Sequence, residues 1–223
     1  MGQTRTLSAE DGHQLSAYRA APVGAPRGGL VVVQEIFGVN SHIRKVSDGW
    51  AADGYVALAP ALFDRVERDV EWGYGPDDIQ RGRELRGKIS TDDAVRDVRA
   101  AVRELVGTGF RVGVVGYCWG GTMAWLAATR IDGLSASVGY YGGGIADAAA
   151  ESPRCPVMLH FGETDASIPK EHYEKVQRLH PALPVHVYPA GHGFNCDARG
   201  SYEERSARLA RERTLAFFRQ HVG

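Results

Sequence analysis

Six short apolar runs with the character of buried strands punctuate this chain, at residues 30–33, 56–59, 112–115, 136–140, 157–161 and 185–188. Between them lie longer segments of helical period, at 41–53, 91–105, 121–130, 170–179 and 202–221. That alternation leaves few options. A run apolar at every position has to be covered on both faces, and strands joined through helices pair in parallel. The expected class is therefore α/β, a mostly parallel sheet with helices on both faces. Ahead of it, two alternating stretches at 4–8 and 14–19 flank Glu10-Asp11-Gly12, which reads as a hairpin. In the last helical segment, Leu209, Leu215, Phe218 and Val222 are the expected packing face.

Composition narrows the class of partner. A hydrophobic share of 43% and a charged share of 24% are globular values, which excludes disordered and fibrous chains. At this length roughly 70% of the surface can be buried, so one core needs no staples. No repeat or linker divides 1–223, and a single domain is expected. The net charge of −1 gives no global field to recruit nucleic acid or an acidic membrane. The apolar run 56–63 is far too short to span a bilayer and contains Pro60. Cys118, Cys155 and Cys196 form an odd, sparse set without a CxxC pair, which suggests neither a disulfide framework nor a structural zinc site. The first thirty residues show no basic-then-apolar signal segment, and a reducing, cytoplasmic setting is expected.

The chemistry concentrates at strand ends. Val112 to Gly121 reads VGVVGYCWGG, a buried strand running through a glycine-rich turn into a helix. This is the strand–turn–helix of a nucleophile elbow with Cys118 in the serine position. Small residues are needed two before and two after the nucleophile because the turn brings backbones together. A helix N-terminus behind the sulfur would favour thiolate. Asp165 follows a later strand in GETDASIP, and His192 follows the last strand in AGHGF. Nucleophile, acid and histidine thus occur in the order that lets all three meet at the carboxyl edge of one sheet. After the first apolar run comes Gln34-Glu35-Ile36-Phe37-Gly38, where a second oxyanion-binding amide belongs. Two readings of Glu35 stay open: a carboxylate that caps or pairs locally, or one that faces Cys118.

At these residues the sequence resembles the dienelactone hydrolase family, from QEIFG at Gln34 through GYCWGG at Gly116 and GETD at Gly162 to GHGF at Gly191. The resemblance implies a single-domain α/β-hydrolase with Cys118, His192 and Asp165 as triad and Glu35 near the thiol. It implies amides of Ile36 and Trp119 as oxyanion hole, and hydrolysis of an enol-lactone to the maleylacetate type of product. It implies no metal and no organic cofactor. The expected partner is a small lactone or ester, on a monomer or small homo-oligomer. Phe37 and Tyr117, beside the oxyanion and nucleophile positions, are candidate substrate contacts. Members of the family hold a substrate carboxylate with two arginines, one before the elbow and one just after the histidine. Here 193–198 contains none; Arg199 is the later candidate and Arg81, in Gln80-Arg81-Gly82-Arg83, the earlier one. Arg81 lies in a polar insert, 65–86, that reads either as a solvated cap or as a lid. The remaining histidines, His160 among them, have no metal spacing and read as structural.

Overall fold

The computed structural model describes residues 2–223, and its contacts gather into two compact units, Met1–Val112 and Gly113–Gly223. In the first, strands β1 (Gln3–Ser8), β2 (Gln14–Ala20), β3 (Gly28–Val33) and β4 (Tyr55–Pro60) lie in the order β1-β2-β4-β3. β1 and β2 form the expected antiparallel hairpin, its turn closed where the Gly12 amide donates to the Ala9 carbonyl at 3.0 Å. β2 pairs antiparallel with β4, and β4 pairs parallel with β3. Every residue of β3 and β4 is buried, whereas β1 is exposed at five of its six positions. That gradient explains the unbroken apolar runs of β3 and β4 and the alternation of β2.

Helix α1 (Ser41–Ala52) starts where the Asn40 side chain accepts the Ile43 amide. A 3-10 turn at Leu62–Arg65 follows β4, and α3 (Thr91–Gly107) is capped by the Ser90 hydroxyl accepting the Asp93 amide. Arg65 forks onto buried Asp97 of α3 with two 2.7 Å bonds and reaches Asp11 of the hairpin turn at 2.8 Å. One side chain so ties three segments together. The ion pair with Arg65 and the His13 amide hold Asp11 down at about 2.

Between the 3-10 turn and α3 lies α2 (Pro76–Gly87), a helix absent from the periodicity reading of the insert. Only Gly82 and Leu85 of α2 are buried, too few to print a period on the sequence. Its signals are terminal: Pro76 opening the helix, and Asp77 and Asp78 in the first turn.

The second unit is built on β5 (Val112–Tyr117), β6 (Leu134–Tyr140), β7 (Val157–Gly162) and β8 (Val185–Tyr188), in that spatial order. β6–β7 and β7–β8 are parallel. Helices α4 (Trp119–Arg130) and α5 (Lys170–Leu179) supply crossovers, and α6 (Glu204–His221) closes the chain. α6 corrects the expected packing face. Its buried residues are Ser206, Ala207, Ala210, Thr214, Phe217 and Phe218, while Leu209 is 40% exposed. Phe218 and Val222 are buried as expected, but Leu209 and Leu215 are not, and small and hydroxylated residues fill the face beside the two phenylalanines. The sheet side leaves room there for Ala and Thr, and hydrophobicity alone does not reveal that. Among the described residues, the eight strands and six α-helices thus have the α/β, mostly parallel character read from the sequence. Among the described residues no helix is long and apolar enough to cross a membrane.

Candidate active site

In the second unit, the ends of β5, β7 and β8 deliver Cys118, Asp165 and His192. Cys118 is the residue between β5 and α4, with φ 55° and ψ −116°. A non-glycine residue accepts that left-handed backbone only where its surroundings force it. The forcing contacts are backbone on backbone. A Cβ on Gly116 would fall 1.9 Å from the Gly120 carbonyl oxygen, and one on Gly121 would fall 2.3 Å from that of Tyr140. The Tyr140 carbonyl also accepts the Cys118 amide at 3.0 Å, while the Cys118 carbonyl accepts the Gly121 amide at 2.9 Å. The thiol therefore stands half-buried at the N-terminus of α4, where the helix dipole favours negative charge.

Asp165 lies in the turn after β7, its carboxylate closed off from solvent. One oxygen accepts the Ser167 amide at 2.8 Å, and the other bonds His192 Nδ1 at 2.7 Å. His192 Nε2 lies 3.2 Å from Cys118 Sγ. Burial pulls the imidazole down, but the hydrogen bonds to Asp165 and Cys118 outweigh it and hold His192 up at about 10. An imidazole held this way beside a sulfur is placed to exchange a proton with it. The two loops meet at Gly162, where a Cβ would fall 2.3 Å from the Ala190 carbonyl oxygen.

Other sequence candidates have definite places. Trp119 is the first residue of α4 and is 7% exposed. Tyr117 is 1% exposed, its ring packed on Tyr140 and Tyr141. Gly193, with φ +78°, is covered by the guanidinium of Arg199: its Nη1 lies 2.4 Å from where a Cβ would stand. Arg199 is thus adjacent in space to the histidine loop although separated from His192 in sequence. Tyr141, which no sequence pattern singles out, is fully buried at φ 38°, with its ring set edge-on to His192 at 5.2 Å.

In the first unit, Glu35 and Phe37 are each 1% exposed, and both follow β3 with Ile36. The insert grips this loop. The Trp72 amide donates to the Phe37 carbonyl at 3.0 Å, and Asn40 Nδ2 donates to the Trp72 carbonyl at 2.9 Å. Tyr74 packs edge-on against Phe37 at 4.6 Å. A Cβ on Gly82 of α2 would fall 2.1 Å from the Ile36 carbonyl oxygen, so only glycine lets α2 approach so closely. Arg81, next to it, is exposed with its guanidinium 4.3 Å from the Trp72 ring centroid.

Comparison with known proteins places the chain in a family. The family model described as the dienelactone hydrolase family matches residues 15–222. A protein of Synechocystis sp., provisionally named a carboxymethylenebutenolidase, is 34% identical over 94% of this chain and 93% of its own. One of Azospirillum brasilense with the same provisional name is 35% identical, covering 98% of each chain. The crystal structure of a provisionally named dienelactone hydrolase from Klebsiella pneumoniae superposes with a TM-score of 0.85 at 31% identity, covering 99% of this chain and 100% of that one. With its sequence matched almost end to end and its strand ends arranged as above, the chain belongs to the dienelactone hydrolase family and is, by that membership, a carboxylic ester hydrolase.

Proposed function

We propose that this protein cleaves an enol-lactone or another activated carboxylic ester through a Cys118–His192–Asp165 triad and a thioester intermediate. The observation that carries the reading is the unbroken hydrogen-bonded line from Asp165 through His192 to Cys118 at the head of α4. The Cys118 thiolate attacks the carbonyl carbon, and the tetrahedral oxyanion is held by the amides of Trp119 and, as the family motif QEIFG implies, Ile36. Collapse expels the enolate, which His192 protonates. His192 then takes a proton from water, water attacks the thioester, and the carboxylic acid leaves as the thiol re-forms. Asp165 fixes the imidazole tautomer throughout. Thiolate leaves easily from a tetrahedral adduct, so the route favours substrates whose own leaving group is better still. Enolates and aryloxides qualify; amines and simple alkoxides do not.

Arg81 is the proposed anchor for a substrate carboxylate, supported by its stacking on Trp72, which leaves the guanidinium edge open for bidentate bonds. Arg199 is the second candidate, supported by its place against Gly193. Phe37 and Tyr117 complete the proposed substrate surroundings. The assignment of Glu35 to the thiol rests on the family motif, and Glu35→Gln tests it through the pH profile of Cys118 alkylation. The 15–222 family match, which runs through both compact units, supports a single catalytic domain.

The deciding experiment assays wild type and Cys118→Ala against an anionic dienelactone and neutral p-nitrophenyl acetate, with mass spectrometry of quenched wild type for an acyl adduct on Cys118. Turnover of both esters with preference for the lactone is expected. Preference for the neutral ester indicates a broad small-ester hydrolase of the same fold. Turnover retained by Cys118→Ala removes the thiol from the mechanism, and absence of turnover by wild type leaves a non-catalytic, redox-sensing relative.

A further inference from the structure

Behind the three catalytic strand ends lies a buried polar chain that the proposed reaction does not use. His160 of β7 is fully buried, with Nδ1 2.9 Å from the Tyr188 hydroxyl of β8 and Nε2 3.0 Å from Thr214 Oγ1 of α6. Tyr140 of β6 brings its hydroxyl to the same Thr214 oxygen at 2.6 Å. Thr214 donates to the Ala210 carbonyl at 2.8 Å, and Arg213 donates to the Tyr188 hydroxyl at 3.1 Å.

These contacts admit one consistent set of protons. With Arg213 donating to it, Tyr188 donates its own proton to His160 Nδ1. His160 then carries its proton on Nε2 and donates to Thr214. Thr214 accepts from His160 and Tyr140 and donates to Ala210. Every hydroxyl and ring N–H in these contacts then has an acceptor. The opposite tautomer would turn the Tyr188 proton out of these contacts and take the Thr214 proton from Ala210. Burial, with His186 stacked at 5.5 Å and cationic Arg213 nearby, keeps His160 neutral, as that pattern requires.

The backbones of these same residues hold the catalytic loops. The Tyr140 carbonyl accepts the Cys118 amide at 3.0 Å. The Tyr188 carbonyl accepts both the Glu163 amide, two residues before Asp165, and the Ala190 amide, two residues before His192, each at 2.7 Å. The His160 carbonyl accepts the Tyr141 amide at 2.7 Å, and Tyr141 in its strained conformation backs His192.

We propose that the Tyr140–Thr214–His160–Tyr188 chain is a positioning device, in which the Thr214 hydroxyl on α6 sets the relative placement of Cys118, Asp165 and His192. The proposal rests on the triad reading above. Displacement by a fraction of an ångström in such a constellation lowers the chemical step while leaving substrate binding in place.

The test compares Thr214→Val, which keeps the shape and removes the hydroxyl, with Thr214→Ser, which keeps it. The readouts are kcat and KM on p-nitrophenyl acetate and the rate of Cys118 alkylation by iodoacetamide at neutral pH. For Thr214→Val, kcat should fall about tenfold or more with KM within about twofold, and alkylation should slow in parallel. Thr214→Ser should recover to within about threefold of wild type. A Thr214→Val enzyme with kcat within about twofold of wild type overturns the proposal, as does a Thr214→Ser enzyme as impaired as the Val variant. Should Thr214→Val fail to fold, Tyr188→Phe decides: a kcat loss of about threefold or more at constant KM supports the device, and unchanged kcat overturns it. The alkylation arm needs no ester turnover, so failure of the hydrolase reading and failure of the positioning role are separable.

Discussion

The elbow around Cys118 and the insert around Arg81 are held by opposite means. From Gly116 to Gly121 the backbone touches backbone on every side, and all six residues except Cys118 are buried. Residues 66–89 instead lean on the loop after β3 through a few contacts, chiefly Gly82, Trp72 and Tyr74, and leave most of α2 in solvent. Over-determined backbone gives a nucleophile one position and tolerates almost no change. A helix anchored at its base and open along its length can exchange side chains without disturbing the fold. The first arrangement suits chemistry common to a family, the second suits choice among substrates.

The comparison breaks most sharply at the sulfur. Cys118→Ala should lose about 10⁴-fold or more in ester turnover with an unchanged circular dichroism spectrum. Asp165→Asn should lose about 10²- to 10⁴-fold, because an amide can select the wrong His192 tautomer. It also tests the pH linkage. His192 is held above its ordinary value of about 6.5, so its contribution to stability is complete below that pH and fades as pH rises through about 10. Urea midpoints of wild type should show that fading, and those of Asp165→Asn should show it at lower pH or not at all. Near-wild-type turnover in Asp165→Asn would move the acid elsewhere, with Glu163 the first residue to examine.

Gly116→Ala measures the backbone clamp itself. With no space for a Cβ beside the Gly120 carbonyl, a stability loss of about 2 kcal/mol or more is expected in denaturant titration, with activity lost alongside. In the insert, Arg81→Leu should raise KM for an anionic lactone by about tenfold and leave a neutral ester almost unaffected, with Lys recovering only part. Equal losses on both esters would make Arg81 a solvated helix residue. Leu209→Ser should be the mildest change, within about 0.5 kcal/mol of wild type, since that side chain faces outward. A larger cost would restore Leu209 to the packing face of α6.

What the sequence determined by itself follows from chemistry that is local along the chain. Mainly apolar runs announced β3 through β7, because burial on both faces leaves no polar alternation. Gly116, Cys118, Gly120 and Gly121 announced a sharp strand-to-helix turn, because only that turn requires such small neighbours. Asp165 and His192 were legible because each follows a strand and the fold brings parallel strand ends to one edge. Tertiary structure alone decided what depends on partners distant in sequence. α2 left no period because it buries two residues. The inward face of α6 joins Ala207, Ala210 and Thr214 to Phe217 and Phe218, a mix that hydrophobicity along the chain does not mark, and Arg199 reaches Gly193 only through the fold of the loop between them. His160 read as one more structural histidine until Tyr140, Tyr188 and Thr214, from three different elements, closed around it. A buried hydrogen bond needs a partner at about 3 Å, and no spacing along a chain encodes that distance.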